Sequence, residues 1–438
     1  MIIKIKNSLK NINYKLFIAL LIMGFCPTIY NTLRVFWLGN LPGEYSYSIA
    51  GQLSWVNLIY EIINEAIILP LFYFMGKAIL DKKDFINKIK TGLIITFSIY
   101  LFLSVFVIIF TEPLLKIMAI SVDIIDMSIK YIRLEAVANV FYALSSFTLV
   151  SLVTIGKDKY VYFCTLFKLV LTVFFDIFMI SSLNVSLNLG VNGIAISNII
   201  INLLMFVFIV GILYKNEFNI FNKDKLSFKW IKKSYSICLV SGFESFIRNI
   251  FYIVMISRMV NVVGEQGTYW VANNFIWGWL LLPIIQLGVL IKQEVATNKD
   301  NVGKNTLGYF IITTTVCLVW FIAIPLYKPF MKYVFNYNDV EKIYNLVILL
   351  LGFYVLYSFQ NIFDSTFYGL GKTHYMLFES VITNVIYYGI CFVLYITNVF
   401  TPSLVGITLM FGIGNAFDSI VSYFVYLYML KKEKIRII

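Results

Sequence analysis

The sequence predicts an all-α integral membrane protein of twelve transmembrane helices arranged as two parallel-repeat six-helix bundles. Three observations carry this. Hydrophobic residues make up 60% of the chain and charged ones only 13%, with a mean hydropathy of +0.84, where soluble domains carry about 25% charge. Apolar runs of about 20 residues recur along the whole chain, each long enough to cross the hydrocarbon core as a helix whose backbone satisfies itself. The two halves also echo one another.

Counting the runs gives twelve expected spans: 14–37, 50–76, 92–111, 131–155, 160–182, 189–214, 234–257, 267–291, 306–327, 343–370, 375–398 and 403–429. The first follows Lys4, Lys6, Lys10 and Lys15. It continues to about Trp37 without a small-residue cleavage site, so it reads as a span and not as a signal peptide. Between the sixth and seventh spans lies the polar stretch 215–233, with six lysines. The expected organisation is an N-terminal bundle over 1–214, a cytoplasmic linker over 215–233, and a C-terminal bundle with a basic tail over 234–438.

Positive charge orients these spans. The N-terminus, the turns near 77–90, 157–159, 215–233, 292–304 and 372, and the tail hold most of the 35 Lys and Arg, which marks them as cytoplasmic. The opposite turns near 38–49, 183–188 and 399–402 have none, with Lys116, Arg258, Lys328, Lys332 and Lys342 the exceptions on that side. Both termini are therefore expected inside. The net charge of +12 sits in turns between apolar runs, which removes a nucleic-acid reading.

Other chemistry has little material. The five cysteines, at 26, 164, 238, 317 and 391, fall inside apolar runs without paired spacing, so they predict neither a disulfide framework nor a metal site. His374 is the only histidine, which leaves metalloenzyme and hydrolase chemistry without its usual residues. The expectation is a protein that is not an enzyme.

The internal echoes occupy equivalent places. Gly24-Phe25 followed by Asn31 recurs as Gly242-Phe243 followed by Asn249, and Gly43-Glu44 recurs as Gly264-Glu265. Gly156-Lys157-x-x-Tyr160-x-x-Phe163 recurs as Gly371-Lys372-x-x-Tyr375-x-x-Phe378, each time in the turn after the fourth span of its half. Three matches in order at nearly constant offset indicate duplication. Six spans per half make the repeats parallel, related by an axis along the membrane normal.

With these features the chain resembles the multidrug and toxic compound extrusion (MATE) family of secondary transporters over its whole length. The resemblance rests on Phe36-Trp37-Leu38-Gly39 with Gly43 after it, the Gly-Lys turns, and Leu189-Gly190-Val191-Asn192-Gly193-Ile194-Ala195 opening span six. It implies two bundles around a central cavity that opens alternately to each side of the cell membrane. It further implies export of organic, cationic or amphipathic small molecules by sodium or proton antiport, with no cofactor beyond the coupling ion. The expected partners are the substrate and membrane lipid, and the expected state is a monomer. Flippases for lipid-linked oligosaccharides share the architecture and are the alternative.

Ionisable residues inside spans cost about 2.5 to 3.5 kcal/mol each on insertion scales and so need a partner or a purpose. Glu61 and Glu65 are four apart on one face of span two. They read either as a coupling-ion site or as a pair partnered by a base such as Arg34. Many family members place an aspartate five residues before the glycine that ends span one, and the resemblance gives it a coupling role; here that position is Arg34. Asp176 falls where some members carry a second coupling carboxylate. Arg34 is expected to pair with Asp176 or with the span-two glutamates.

In the second half, Glu244 and Arg248 are spaced to pair with each other, and Glu244 is also the nearest match to a span-seven coupling carboxylate. Asp364 is a further coupling candidate. Glu135, Lys168 and Asp418 are additional charges at membrane depth, and Glu379 reads as close enough to the inner end to reach water. Span eight places Trp270, Trp277 and Trp279 around Asn273 and Asn274, a set suited to an organic cation. Its alternative is ordinary interfacial tryptophan in a chain that is 18% aromatic. Pro70, Pro283 and Pro325 lie within spans and can kink them.

The lysine asymmetry yields a topological test. A tag near Lys225 is expected to be reachable only from the cytoplasm and one near Tyr47 only from outside. Labelling of both from one side of intact cells would reject the twelve-span topology.

Overall fold

The structure, a computed structural model, describes residues 2–41, 45–68, 75, 78, 81–155, 158–222 and 225–436. Gly43, Glu44, Pro70, Gly156 and Lys157 of the sequence reading lie outside the described residues. The helices are α1 (Ile2–Asn11), α2 (Tyr14–Gly39), α3 (Ser46–Ile63), α4 (Lys82–Ile117), α5 (Val122–Thr154), α6 (Asp158–Met179), α7 (Val191–Lys215) and α8 (Ile231–Tyr252). They continue as α9 (Arg258–Val262), α10 (Gln266–Phe275), α11 (Leu282–Thr297), α12 (Asn301–Tyr333), α13 (Val340–Gly369), α14 (His374–Val381), α15 (Gly389–Ile396) and α16 (Leu404–Lys432). Among the described residues there is no strand.

The starts of these helices follow from local chemistry. Asp81 caps α4 by accepting from the Lys83 and Asp84 amides at 3.0 and 3.2 Å, and Ser403 caps α16 by accepting from the Gly406 amide at 3.1 Å. Gly371, at φ +67°, makes the left-handed turn that separates α13 from α14.

Among the described residues nine helices are long and apolar enough to cross a membrane. The pair Gln266–Leu280 and Leu282–Thr297, bent by 53°, makes a tenth when taken as one broken span. Of the two other expected spans, 50–76 lies partly outside the described residues. The other, 234–257, is α8 with its continuation, the π turn Ile253–Ser257.

Which side chains face outward confirms the medium. Helix α4 buries Thr91, Thr96, Ser104 and Thr111 while Phe102 stands 76% exposed and Ile109 61%. Polar groups inside and large apolar groups outside invert the pattern of a water-soluble bundle, so the surroundings of α4 are hydrocarbon. The protein is a multi-pass membrane protein.

The chain divides into two compact units, 33–253 and 1–32 with 254–438. In the first, α5 packs against α7, α4 and α3, and α8 packs against α3 and the turn that follows it. Gly242 on α8 makes that approach possible, because a Cβ there would lie 2.7 Å from the Ala66 Cβ. In the second, α13 lies against α16, α11, α12 and α10, and α1 packs on α12. The unit boundaries fall within α2 and just after α8, and so do not coincide with the linker.

Among the described residues four short π-helical turns interrupt the α-helices, at Asn64–Ile68, Ile253–Ser257, Ile276–Leu280 and Ile382–Tyr388. Such turns leave backbone groups off the regular ladder and let a helix change direction.

In the second unit, Glu433 at the end of α16 accepts from Lys299 at 2.5 Å and also from Lys372, tying two turns to the tail. The hydrogen bonds from Lys299 and Lys372 hold its carboxyl down to about 2. A depressed carboxyl contributes above its ordinary value and loses that contribution as pH falls through its folded value. The clasp is therefore expected to persist from neutral pH to near pH 2. In limited proteolysis at neutral pH, Glu433→Gln should be cut several-fold faster at Lys431, Lys432 and Lys434 than the parent, and equal rates would show that the clasp does not hold the tail.

Candidate functional site

Among the described residues, three networks of charged groups at the membrane spans bear on function. The first, in the 33–253 unit, is centred on Arg34 of α2. Its Nε lies 2.6 Å from Asp176 Oδ2 and its Nη2 3.1 Å from Oδ1, a two-pronged pair that matches the planar guanidinium to the carboxylate. Nη2 also donates to Asn198 Oδ1 at 2.9 Å, and the Asn198 amide donates to Glu135 Oε1 at 2.8 Å. Asp176 is 0% exposed and Glu135 3%. Two acids and one arginine leave a formal charge of −1 when both acids are ionised.

Of the two partners expected for Arg34, the structure has Asp176 and not the span-two glutamates. Glu135 was legible only as a charge near the membrane; it sits in mid-helix and joins the network through Asn198. Lys168, two turns before Asp176 on α6, points its ammonium at the Tyr142 ring, 5.2 Å from the centroid.

The second network, also in the 33–253 unit, collects three carboxylates around Arg248 of α8. Glu65 Oε2 is 2.8 Å from Nη2, Glu244 Oε1 is 3.2 Å from Nε, and Glu61 Oε1 is 3.5 Å from Nη1. The expected Glu244–Arg248 pair is present. The base that meets Glu61 and Glu65 is Arg248, which corrects the expectation of Arg34 in that role. Spacing along one helix puts Glu61 and Glu65 on one face, but only the packing of α8 on α3 selects their partner. Among the described residues these three acids and one base sum to a formal −2. This network is also the more open one, with the Arg248 and Glu61 side chains 43% and 40% exposed.

The third network is in the other unit, on α13, α14 and α16. Gln360 donates to Asp418 Oδ2 at 2.6 Å and to Asp364 Oδ2 at 3.3 Å. Thr383 donates to Asp418 Oδ1 at 2.6 Å, and Ser422 Oγ lies 3.0 Å from Asp364 Oδ1 and 2.8 Å from Glu379 Oε2. Glu379 is 4% exposed, which corrects the reading that it reaches water. Its position near the predicted inner end of span eleven suggested solvent, but α16 covers it. Among the described residues no group of three or more His, Cys, Asp or Glu is arranged to hold a metal ion.

Trp270, Asn273, Asn274 and Trp277 share one stripe of the broken span, as their spacing requires. The Asn274 amide turns back to its own helix, donating to the Trp270 carbonyl at 2.9 Å. Trp277 is exposed and meets Tyr354 and Tyr357 edge-on, at 6.2 and 5.6 Å between centroids. An apolar groove of about 330 Å³ lies on Trp279 instead, lined by Phe275, Pro283, Trp320, Tyr327 and Phe330. Trp279 donates to Thr32 at 3.0 Å, so its indole is fixed.

The first network generates a double-mutant test. Removing one partner of a buried pair leaves the other charge uncompensated, at about 3 to 5 kcal/mol. Arg34→Ala and Asp176→Ala are each expected to lower the melting temperature of the purified protein, and the double variant to recover part of the loss, with a coupling above about 1 kcal/mol. Additive losses would show that the two groups do not stabilise each other.

Comparison with solved structures finds this fold at low sequence identity. A structure described as the inward-facing conformation of a multidrug resistance MATE family transporter of the MOP superfamily matches with a TM-score of 0.75 and 17% identity, over 93% of this chain and 95% of that one. The outward-facing conformation of such a transporter gives 0.67 and 19%, over 98% of each chain. A MOP superfamily transporter from Pyrococcus furiosus, described as having a binding pocket of reverse polarity that suggests a different function, gives 0.69 and 18%, again over 98% of each. No protein-family model and no curated protein matches the sequence. All three structural neighbours are transporters, and the chain has the fold of the MATE transporters of the MOP superfamily.

Proposed function

We propose that the protein is a secondary active exporter of organic, cationic or amphipathic small molecules, working by alternating access and driven by sodium or proton antiport. The observation that supports this best is the second network. Three carboxylates around one guanidinium at membrane depth carry more negative charge than an apolar setting tolerates, and a proton, a sodium ion or a cationic substrate relieves the excess. Exchange of one such cation for another is what antiport requires. On this reading the coupling candidates are Glu61, Glu65 and Glu244 with Arg248, Asp176 with Arg34, and Asp364. Trp270, Asn273, Asn274 and Trp277 are candidates for substrate contact. The protein acts as a monomer in the cytoplasmic membrane with both termini inside, and the two six-span sequence halves are its functional repeats.

A flippase for a lipid-linked oligosaccharide is the second reading. Arg34, standing where the resemblance implies an acid, favours it together with Lys168, because cations suit the phosphates of such a lipid.

Ethidium movement in proteoliposomes under an imposed sodium or proton gradient tests the first reading. Glu61→Gln, Glu65→Gln and Asp176→Asn are each expected to slow gradient-driven export by about tenfold or more, the scale at which about 1.4 kcal/mol of coupling is lost, while the protein stays folded. Parental rates in all three would remove these carboxylates from the mechanism. No ethidium movement together with flipping of a fluorescent lipid-linked sugar would favour the second reading.

A further inference from the structure

We infer that Asp364 and Glu379 hold one proton between them through Ser422, and that Glu379 thereby belongs to a proton-binding site in the unit built on α13 and α16. A serine hydroxyl has a single hydrogen, and an ionised carboxylate only accepts. Yet Ser422 Oγ lies within hydrogen-bond distance of both acids, 3.0 Å from Asp364 Oδ1 and 2.8 Å from Glu379 Oε2. Both contacts are hydrogen bonds only when one carboxyl carries a proton and donates it to Oγ, while the Oγ hydrogen goes to the other. With both acids ionised, one contact is a repulsion between lone pairs, and two negative charges share one buried place.

A second, independent observation points the same way. Glu379 is 4% exposed, and its Oε1 has no hydrogen-bond partner among the described residues. An unpartnered oxygen on a buried, ionised carboxylate carries a full desolvation cost, whereas on the neutral acid that cost is much smaller.

The groups that face the pair come from four helices. Helix α13 contributes Gln360, whose amide reaches Asp364 Oδ2 at 3.3 Å but Asp418 Oδ2 at 2.6 Å, so Asp364 receives the weaker contact. Helix α16 contributes Asp418 and Ser422, and α14 contributes Glu379. Helix α11 contributes Lys292, whose field reaches Asp364 and whose ammonium stands 4.6 Å from the Tyr368 ring centroid. Gly288 lets α11 come this close, because a Cβ there would lie 2.7 Å from Ser365 Oγ. The remaining acid of the cluster, Asp418, is already served by Gln360 and by Thr383 in the π turn.

Release of the proton to water leaves both carboxylates charged around one serine, and rebinding restores the neutral acid. That this proton is the coupling ion rests on the transport reading above; that it is shared does not.

Infrared spectra and melting temperatures of the purified, full-length protein decide the matter. Glu379→Gln and Asp364→Asn are each expected to remove one protonated-acid C=O band from the parental spectrum. The side-chain amide introduced by Glu379→Gln can donate to Ser422 as the protonated acid does, so this variant is expected to keep the parental melting temperature near neutral pH. It should lose most of the fall in melting temperature that the parent shows as pH rises. Loss of a carboxylate band in place of an acid band in both variants, or a melting temperature as dependent on pH as the parent's, would overturn the shared proton. Should Glu379→Gln fail to fold, the Asp364→Asn spectrum decides alone by the same criterion. In proteoliposomes, proton-driven ethidium export slowed at least tenfold by Glu379→Gln supports the coupling role, and an undiminished rate overturns it. Absence of ethidium export by the parent overturns the transport reading, and the spectra still settle the proton.

Discussion

A guanidinium inside an apolar bundle has no route to neutrality, and the fold of the 33–253 unit is arranged around that fact. Arg34 cannot give up its proton, so α6 must present Asp176 and α7 must present Asn198 to it at 2.6 to 3.1 Å. Asn198 in turn carries the contact on to Glu135 on α5. Four helices are thus registered against one another by one cation. Leu and Ile packing in lipid does not provide this, because hydrocarbon outside the bundle is as apolar as its core.

The same constraint read at the other networks gives an excess of acid. One arginine serves three carboxylates at Arg248, and Asp364, Glu379 and Asp418 are held by serine, threonine and glutamine donors. Such donors satisfy geometry without cancelling charge. On the transport reading, a cation that cancels charge there comes and goes, which is the property that a coupled transporter needs. The π turns fall at these places: Glu65 and Thr383 lie inside two of them, Trp277 inside a third, and the fourth follows α8 five residues after Arg248. A helix that departs from its regular ladder beside an ionisable group can change its local winding when the charge changes.

Much of this was legible in the sequence, and the limits have a physical cause. Composition and run length determine an all-α membrane fold, because a lipid-embedded backbone has few options. The Arg34–Asp176 pair was accessible because a permanent charge demands an opposite one and few acids lie at the right depth. The helical repeat likewise put Glu61 with Glu65 and Glu244 with Arg248. Periodicity describes one helix at a time, however. That Arg248 meets Glu61 and Glu65, and that Ser422 sits between Asp364 and Glu379, depends on how helices pack. Glu379 was misjudged for the same reason: its place along the chain suggested water, and its neighbour α16 denies it. Trp279 stood out in span eight, but the groove on it depends on Trp320, Tyr327 and Phe330 of a neighbouring helix, which one span's sequence does not place.

On the transport reading, the carboxylates of these networks bind the ion that a substrate cation displaces. Calorimetric titration of ethidium into the purified protein tests this most directly, run in two buffers of different ionisation enthalpy and with and without sodium. Exchange of ion for substrate gives either a heat that changes with the buffer, which reports proton release on binding, or an affinity that falls as sodium rises. Binding with the same heat in both buffers and the same affinity at all sodium concentrations would contradict it.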